Sequence, residues 1–357
     1  MSGGAALVGC GMPVASKVTV SAAKQQQIGS VTNFGDSITC GYFAHPENGT
    51  GNVYSTAGYA GLLDAAIGQP AVNLCRGSDE AADMSRLWVP IVSPSDAGRQ
   101  LYTVMIGIND ANSCGGSSGC MGNWQGSLTE SLAWLALPAN DKITGNLAAS
   151  GNGAWSPDLF FGAVTYVSGA TISFPVKQSV AGRELYVAYR VFNPDVMNCG
   201  TASLTIDGSV VALLNASVPT GQALNTPNGT SDALFVAAVP LGAVGSHTVS
   251  LSLTSATGTF FSFQWAGVAS STNPGTNGGP RVLVGSLPLT TSKALNQTVA
   301  AYNSLLTAMV AQLVTDGMNV QIAPTATALD PTKDMSDELH PNNIGHDKLA
   351  EAFALSL

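Results

Sequence analysis

Charge is what this sequence has least of. Only 10% of its 357 residues are Asp, Glu, Lys or Arg, and the balance is 13 − 22 = −9. No Lys/Arg cluster is present to follow a phosphate backbone or an anionic membrane surface, so nucleic acid is excluded as an expected partner. No run of about 18 apolar residues occurs, and no transmembrane segment is expected. Histidine is scarce, at four residues; none stands at zinc-ligand spacing beside the six cysteines, and these form no C-x-x-C. A G-x-G-x-x-G at a strand–helix junction, a Walker loop and H-E-x-x-H are all missing. Neither a metal nor a nucleotide cofactor is expected.

Small neutral residues are plentiful: 40 Gly, with much Ala, Ser, Thr and Asn. That profile suits an exported protein with a hydroxyl- and amide-rich surface, and a secreted or extracytoplasmic location is expected. At 45% hydrophobic, the chain can bury one large core or two moderate ones. Leu7-Val8-Gly9-Cys10 resembles a bacterial lipobox, which makes Cys10 a candidate lipid anchor. The preceding segment lacks the basic residue and the length of a full signal peptide. Residues 1–27 read as a signal remnant or tether. Cys114 and Cys120 flank a Gly/Ser stretch that a disulfide would close at little cost, a pairing suited to an oxidising compartment. For Cys40 and Cys75 two readings stand, a bridge or two buried thiols, and Cys199 has no assigned partner.

Texture divides the remainder. Residues 28–142 read as α/β, with strands at 31–34 and 101–106 and helices at 59–67 and 128–137, the last stopped by Pro138. Residues 281–357 resume that texture: strand 281–287, helix 295–314, strand 320–322 and a final helix from 344. Between them, 143–280 reads as all-β. Leu185, Val187, Tyr189 and Val191 alternate with a second face, and Asp207-Gly208-Ser209 signals a hairpin. This stretch suggests a sandwich or jelly roll inserted into an α/β domain and followed by a Ser/Asn/Gly/Pro linker at 270–280.

Four short motifs carry chemistry. Gly35-Asp36-Ser37 follows a strand and precedes an expected helix, which would expose the Ser37 hydroxyl beside the first helical N–H groups. A serine there is equally a natural helix N-cap. Asp337-Glu338-Leu339-His340 places a carboxylate three residues before a histidine, the pair needed to deprotonate a hydroxyl and orient the base. Asn109-Asp110 closes a strand, and Gly77 follows Cys75-Arg76 in a loop; both could supply N–H donors to an oxyanion. An ordinary turn at either place is the alternative. His45, His247 and His346 are expected to have structural or solvent roles. Gly115-Gly116-Ser117-Ser118-Gly119 also fits the G-x-S-x-G nucleophile elbow, but no strand leads directly into it.

In this order, Gly-Asp-Ser, the loop Gly, Gly-x-Asn-Asp and Asp-x-x-His resemble the four blocks of the SGNH/GDSL hydrolase superfamily, with Ser37, Gly77, Asn109 and His340 at the four letters. The resemblance implies a three-layer α/β/α domain of flavodoxin-like order over 28–142 and 281–357. It implies Ser37 as nucleophile, His340 as base and Asp337 as its orienting acid. Ser37, Gly77 and Asn109 would line the oxyanion hole. Ser-Ile-Thr departs from the name-giving Ser-Leu, and the β insertion lies outside the minimal fold. The expectation is a Ser-His-Asp carboxylic-ester hydrolase acting on short acyl esters of carbohydrates or other small esters. Lipolytic or aryl-esterase action, or a non-catalytic carbohydrate-binding role, are the rivals. An insert leaving after a helix starts from the side of the sheet opposite the catalytic loops; it is expected to fold back beside the cleft.

Overall fold

The computed structural model describes residues 18–44, 54–92, 99–149, 154–158, 162–218, 223–270 and 280–357. Cys10, His45 and the linker core at 271–279 lie outside them. In chain order the strands are β1 (Ser30–Gly35), β2 (Ala71–Cys75), β3 (Gln100–Met105), β4 (Lys142–Thr144), β5 (Ser156–Pro157), β6 (Ala163–Thr165), β7 (Thr171–Gln178), β8 (Glu184–Phe192), β9 (Thr201–Ile206), β10 (Ser209–Asn215), β11 (Asp232–Pro240), β12 (Gly245–Leu253), β13 (Phe261–Gly267), β14 (Arg281–Gly285) and β15 (Val320–Ala323). The helices are α1 (Ala22–Gln27), α2 (Tyr59–Ile67), α3 (Ala81–Asp83, prolonged by wider turns to Trp88), α4 (Ile108–Ser113), α5 (Ser118–Ala136), α6 (Gly145–Ala148), α7 (Lys293–Thr315) and α8 (Asn343–Leu355).

β2-β1-β3-β14-β15 form one parallel sheet. Counted within that sheet, the order is 2-1-3-4-5, the flavodoxin-like order. Right-handed crossovers send leftward and rightward connections to opposite faces. Accordingly α2 and α8 pair on one face, with Tyr59 stacked on Phe353 at 5.2 Å, while α5 and α7 cover the other. On length and composition α7 could cross a membrane, yet Leu295, Val299, Tyr302, Leu306 and Leu313 face the protein interior.

The inserted stretch forms two antiparallel sheets, β10-β9-β12-β7 and β11-β8-β13-β6-β5, with β4 joined to β13. Alternation in β7 sends Ile172, Phe174 and Val176 into the sandwich, where Phe174 stacks on Phe263 at 5.2 Å. The expected hairpin is a two-residue turn with Asp207 and Gly208 at φ of 50° and 83°, the left-handed pair that matches strand twist. β13, by contrast, is buried on both faces. Trp265 leaves the sandwich to meet Trp134 of α5 at 5.6 Å, and its Nε1–H donates to Glu130 at 2.8 Å. Tyr186, Ala188 and Trp265 thus join the core of the α/β unit rather than that of the sandwich.

Two expectations need correction. Residues 18–27 are no free tether: Val18 and Val20 are buried in the main core, and Gln25 Nε2 donates to Ala66 O at 2.7 Å. The stretch between Cys114 and Cys120, whose Gly/Ser composition predicts a flexible loop, is helical in its second half, because α5 begins at Ser118 and is capped by the Ser117 side chain. Ser117 therefore serves as a helix cap, and the G-x-S-x-G match there has no strand before it.

Candidate active site

β1 delivers the first motif to the carboxyl edge of the sheet. A Cβ on Gly35 would lie 2.1 Å from Thr39 Oγ1 and 2.4 Å from Met105 O, so no side chain fits there. Asp36 is buried and its Oδ1 accepts the Ile38 N–H at 2.9 Å, folding the chain back immediately after the strand. Burial pushes the Asp36 carboxyl up to about 7 against that hydrogen bond, and the charge of Asp79 adds to the effect. Turns, not the expected helix, follow Ser37. Cys40 N–H donates to Asp36 O, Gly41 adopts φ of 80°, and Cys40 is bridged to Cys75 with their Cα atoms 5.5 Å apart. Among the described residues Ser37 caps no helix.

The last motif arrives from 303 residues away. Ser336 N–H donates to His340 O at 2.8 Å, and Met335 pairs with Pro341, which closes the chain into a tight loop. Within it Asp337 Oδ1 accepts the N–H groups of Leu339 and His340 at 2.8 and 2.7 Å, while Oδ2 lies 2.8 Å from His340 Nδ1. The imidazole's other nitrogen, Nε2, is 3.0 Å from Ser37 Oγ. Burial opposes the charge on Asp337, but the hydrogen bonds from His340 and Leu339 outweigh it and hold the carboxyl below its ordinary value. Ser37 is only 8% exposed, while the Tyr42 and Phe43 rings stand 4.6 and 5.6 Å from the imidazole. Phe43 has φ of 63°, a left-handed conformation that costs a bulky residue roughly 1 kcal/mol or more. Behind this wall His346 accepts the Tyr59 N–H at Nδ1, so its Nε2–H donates to Tyr42 O at 3.2 Å. Burial drives the His346 pKa down to about 4, which keeps that imidazole neutral.

The two intermediate motifs meet each other. Gly107, at φ of 126°, lies so close to Trp124 that a Cβ would fall 2.3 Å from Nε1. α4 starts directly after it, with Asn109 in the first turn. Asn109 Nδ2 donates to Asp79 O at 2.9 Å, and Asp110 accepts the Ala81 N–H at 3.2 Å. Arg76 N–H reaches Gly35 O at 3.4 Å, which places Gly77 beside the Ser37 turn. Among the described residues, neither Ser37 N–H nor Gly77 N–H donates to a protein acceptor. Cys114 and Cys120 are also bridged, at the start of α5.

Sequence reading overlooked Asp79. Its carboxylate accepts Arg76 Nε at 2.7 Å, Trp88 Nε1 at 2.6 Å and Asn228 Nδ2 at 2.9 Å, and burial raises its pKa to about 6. The signal lay in Arg76, a cation followed closely by Asp79 and Asp83 in a chain so poor in charge.

Serine, histidine and aspartate hydrogen-bonded in sequence at the carboxyl edge of a doubly wound parallel sheet form the arrangement that a serine hydrolase requires. Residues 31–131 match the family model of the GDSL-like lipase/acylhydrolases. No curated protein matches it in sequence. Among solved structures it is similar to the carbohydrate acetylesterase Est24 from Sinorhizobium meliloti, at 11% identity and TM-score 0.40, with 92% of this chain and 97% of that one covered. A lipolytic G-D-S-L family member from Veillonella parvula gives 14% and 0.41 with the same coverages. The aryl esterase of M. smegmatis gives 9% and 0.40, again over 92% and 97%.

Proposed function

We propose that the chain hydrolyses short-chain carboxylic esters through an acyl-enzyme on Ser37. His340 Nε2 accepts the proton of Ser37 Oγ as that oxygen bonds to the ester carbonyl carbon, and Asp337 stabilises the imidazolium that forms. The carbonyl electron pair moves onto oxygen. Ser37 N–H, Gly77 N–H and Asn109 Nδ2 supply donors to that oxyanion. Asn109 has one amide hydrogen engaged with Asp79 O and one to spare. Collapse expels the alcohol, which takes the proton from His340; water then repeats the sequence and releases the acid. The hydrogen-bonded series Ser37 Oγ, His340 Nε2, His340 Nδ1 and Asp337 carries this reading.

For the substrate we favour acyl esters of carbohydrates, acetyl above all. The support is the inserted two-sheet module, an architecture that often holds sugars, and this is an analogy at the level of fold. The two cystines favour work outside the cytoplasm, and the lipobox-like Leu7-Val8-Gly9-Cys10 is what supports a lipid anchor at Cys10. Hydrolysis of p-nitrophenyl esters of rising chain length, beside acetylated sugars, tests the substrate reading. Acetate should be cleaved best and an acetylated sugar turned over. A preference for long chains would instead indicate a lipase, and no turnover of any ester would indicate a binding protein.

A further inference from the structure

The loop that offers Gly77 N–H is fastened from two directions. From the α/β unit come the Arg76 N–H to Gly35 O contact and the Asn109 side chain on Asp79 O. So do the Trp88 side chain on Asp79 and the Cys40–Cys75 bridge, and further restraints come from the inserted sandwich. Asn228 Nδ2 donates both to Gly77 O at 3.2 Å and to Asp79 Oδ1 at 2.9 Å. Two residues to either side, the hydroxyls of Thr226 and Thr230 donate to Asp83 Oδ1 at 3.0 and 2.5 Å.

Asn228 is well placed to impose a geometry because its own turn is stiff. Thr226-Pro227-Asn228-Gly229 closes with Gly229 N–H on Thr226 O at 2.8 Å and Gly229 at φ of 79°. Proline presets the first corner, and the glycine that closes the turn accepts the left-handed conformation. Asn193 clamps the base of the loop, donating to Leu224 O and accepting Leu224 N–H at 2.8 and 2.7 Å. The target, in turn, needs outside restraint. Glycine has the widest conformational choice of any residue, and Ser78 beside it sits at φ of 63°. Holding the carbonyl of Gly77 fixes the peptide that follows it, while the Arg76 N–H on Gly35 O holds the chain before it, and the two together limit the rotation left to the peptide that carries the Gly77 N–H.

We infer that Asn228 is a positioning residue for ester hydrolysis, through which the inserted sandwich aims the Gly77 N–H at the oxyanion. This rests on the assignment of Gly77 as an oxyanion donor. Asn228 is exposed, so its truncation removes no core contact. In the full chain, Asn228→Ala should lower kcat for p-nitrophenyl acetate roughly 10- to 100-fold, the scale of a small misplacement at a reacting centre, with KM and Tm little changed. Affinity for an arylboronic acid, whose tetrahedral adduct on Ser37 needs the same donors, should fall in parallel. Asn228→Asp keeps the shape but sets an acceptor against Asp79, and should be at least as impaired. Wild-type kcat in Asn228→Ala, or a fall in kcat with boronate affinity intact, would overturn the inference. Ser37→Ala separates the two levels. If it retains turnover, the hydrolytic reading itself fails; if it is inactive while Asn228→Ala is normal, only the role of Asn228 fails.

Discussion

At the scale of single residues, one carboxylate does two jobs. Asp337 folds its own loop through two backbone N–H groups and orients His340 with its second oxygen. Asp337→Asn would retain an acceptor for the loop but offer the imidazole no charge, and is expected to cut kcat by about 10⁴-fold, as for an orienting Asp in a triad. Steady-state kinetics with circular dichroism would check it; a loss below tenfold would mean that Asp337 does not orient the base. Asn109 also has two tasks, since it anchors Asp79 O as well as offering a donor. Asn109→Ala should reduce kcat by about 100-fold or more with a smaller effect on KM. A change confined to KM would remove it from the oxyanion hole.

At the scale of elements, the cystine between Cys40 and Cys75 ties the turn after Ser37 to the loop of Gly77. It closes a segment with a sequence separation of 35, for which chain entropy predicts a contribution of about 4 kcal/mol. A Cys40→Ser/Cys75→Ser variant should therefore show a reduced denaturation midpoint and, because both halves of the site are loosened, a reduced kcat. An unchanged midpoint would contradict the account. The helices that cover the parallel sheet were legible because each apolar run is bounded by its own breaker: Gly68 after α2, Pro138 after α5, Gly317 after α7. The turn after Ser37 was illegible because a disulfide partner and a left-handed Gly41, both matters of tertiary structure, decide it against local helix propensity. The motifs around Ser37, Gly77, Asn109 and His340 were legible because each is short and local. Asn228 was not: nothing in Thr-Pro-Asn-Gly reveals that the turn touches a loop about 150 residues earlier.

At the scale of the molecule, the sandwich is built into the α/β unit instead of hanging from it. Asp232 is shared at 2.7 Å by Arg190 of its own sheet and Arg86 of the α/β unit, while Tyr186 OH donates to Asp316 at 2.7 Å. Replacing 143–280 by a short Gly/Ser loop would uncover Trp134 and Glu130, and should give insoluble protein. A soluble, active product would show the two units to be separable. Glu130 also makes a pH prediction. Burial raises its carboxyl from 4.5 to about 8, so between those values the folded protein holds a proton that the unfolded chain releases. Stability is then lost as pH rises through this window. Glu130→Gln keeps an acceptor for Trp265 and titrates nothing, so its Tm should decline less from pH 5 to 8. Identical slopes in the two proteins would contradict the burial argument.

The central claim is that Ser37 Oγ, activated by His340, forms the acyl-enzyme. Stopped-flow release of p-nitrophenol from p-nitrophenyl acetate, with peptide mass mapping of acid-quenched, digested protein, measures it directly. The account predicts an acetyl group on the peptide containing Ser37 during turnover, and neither adduct nor turnover in a folded Ser37→Ala variant. Normal turnover in that variant, or an acetyl group on another residue of a competent intermediate, would contradict it.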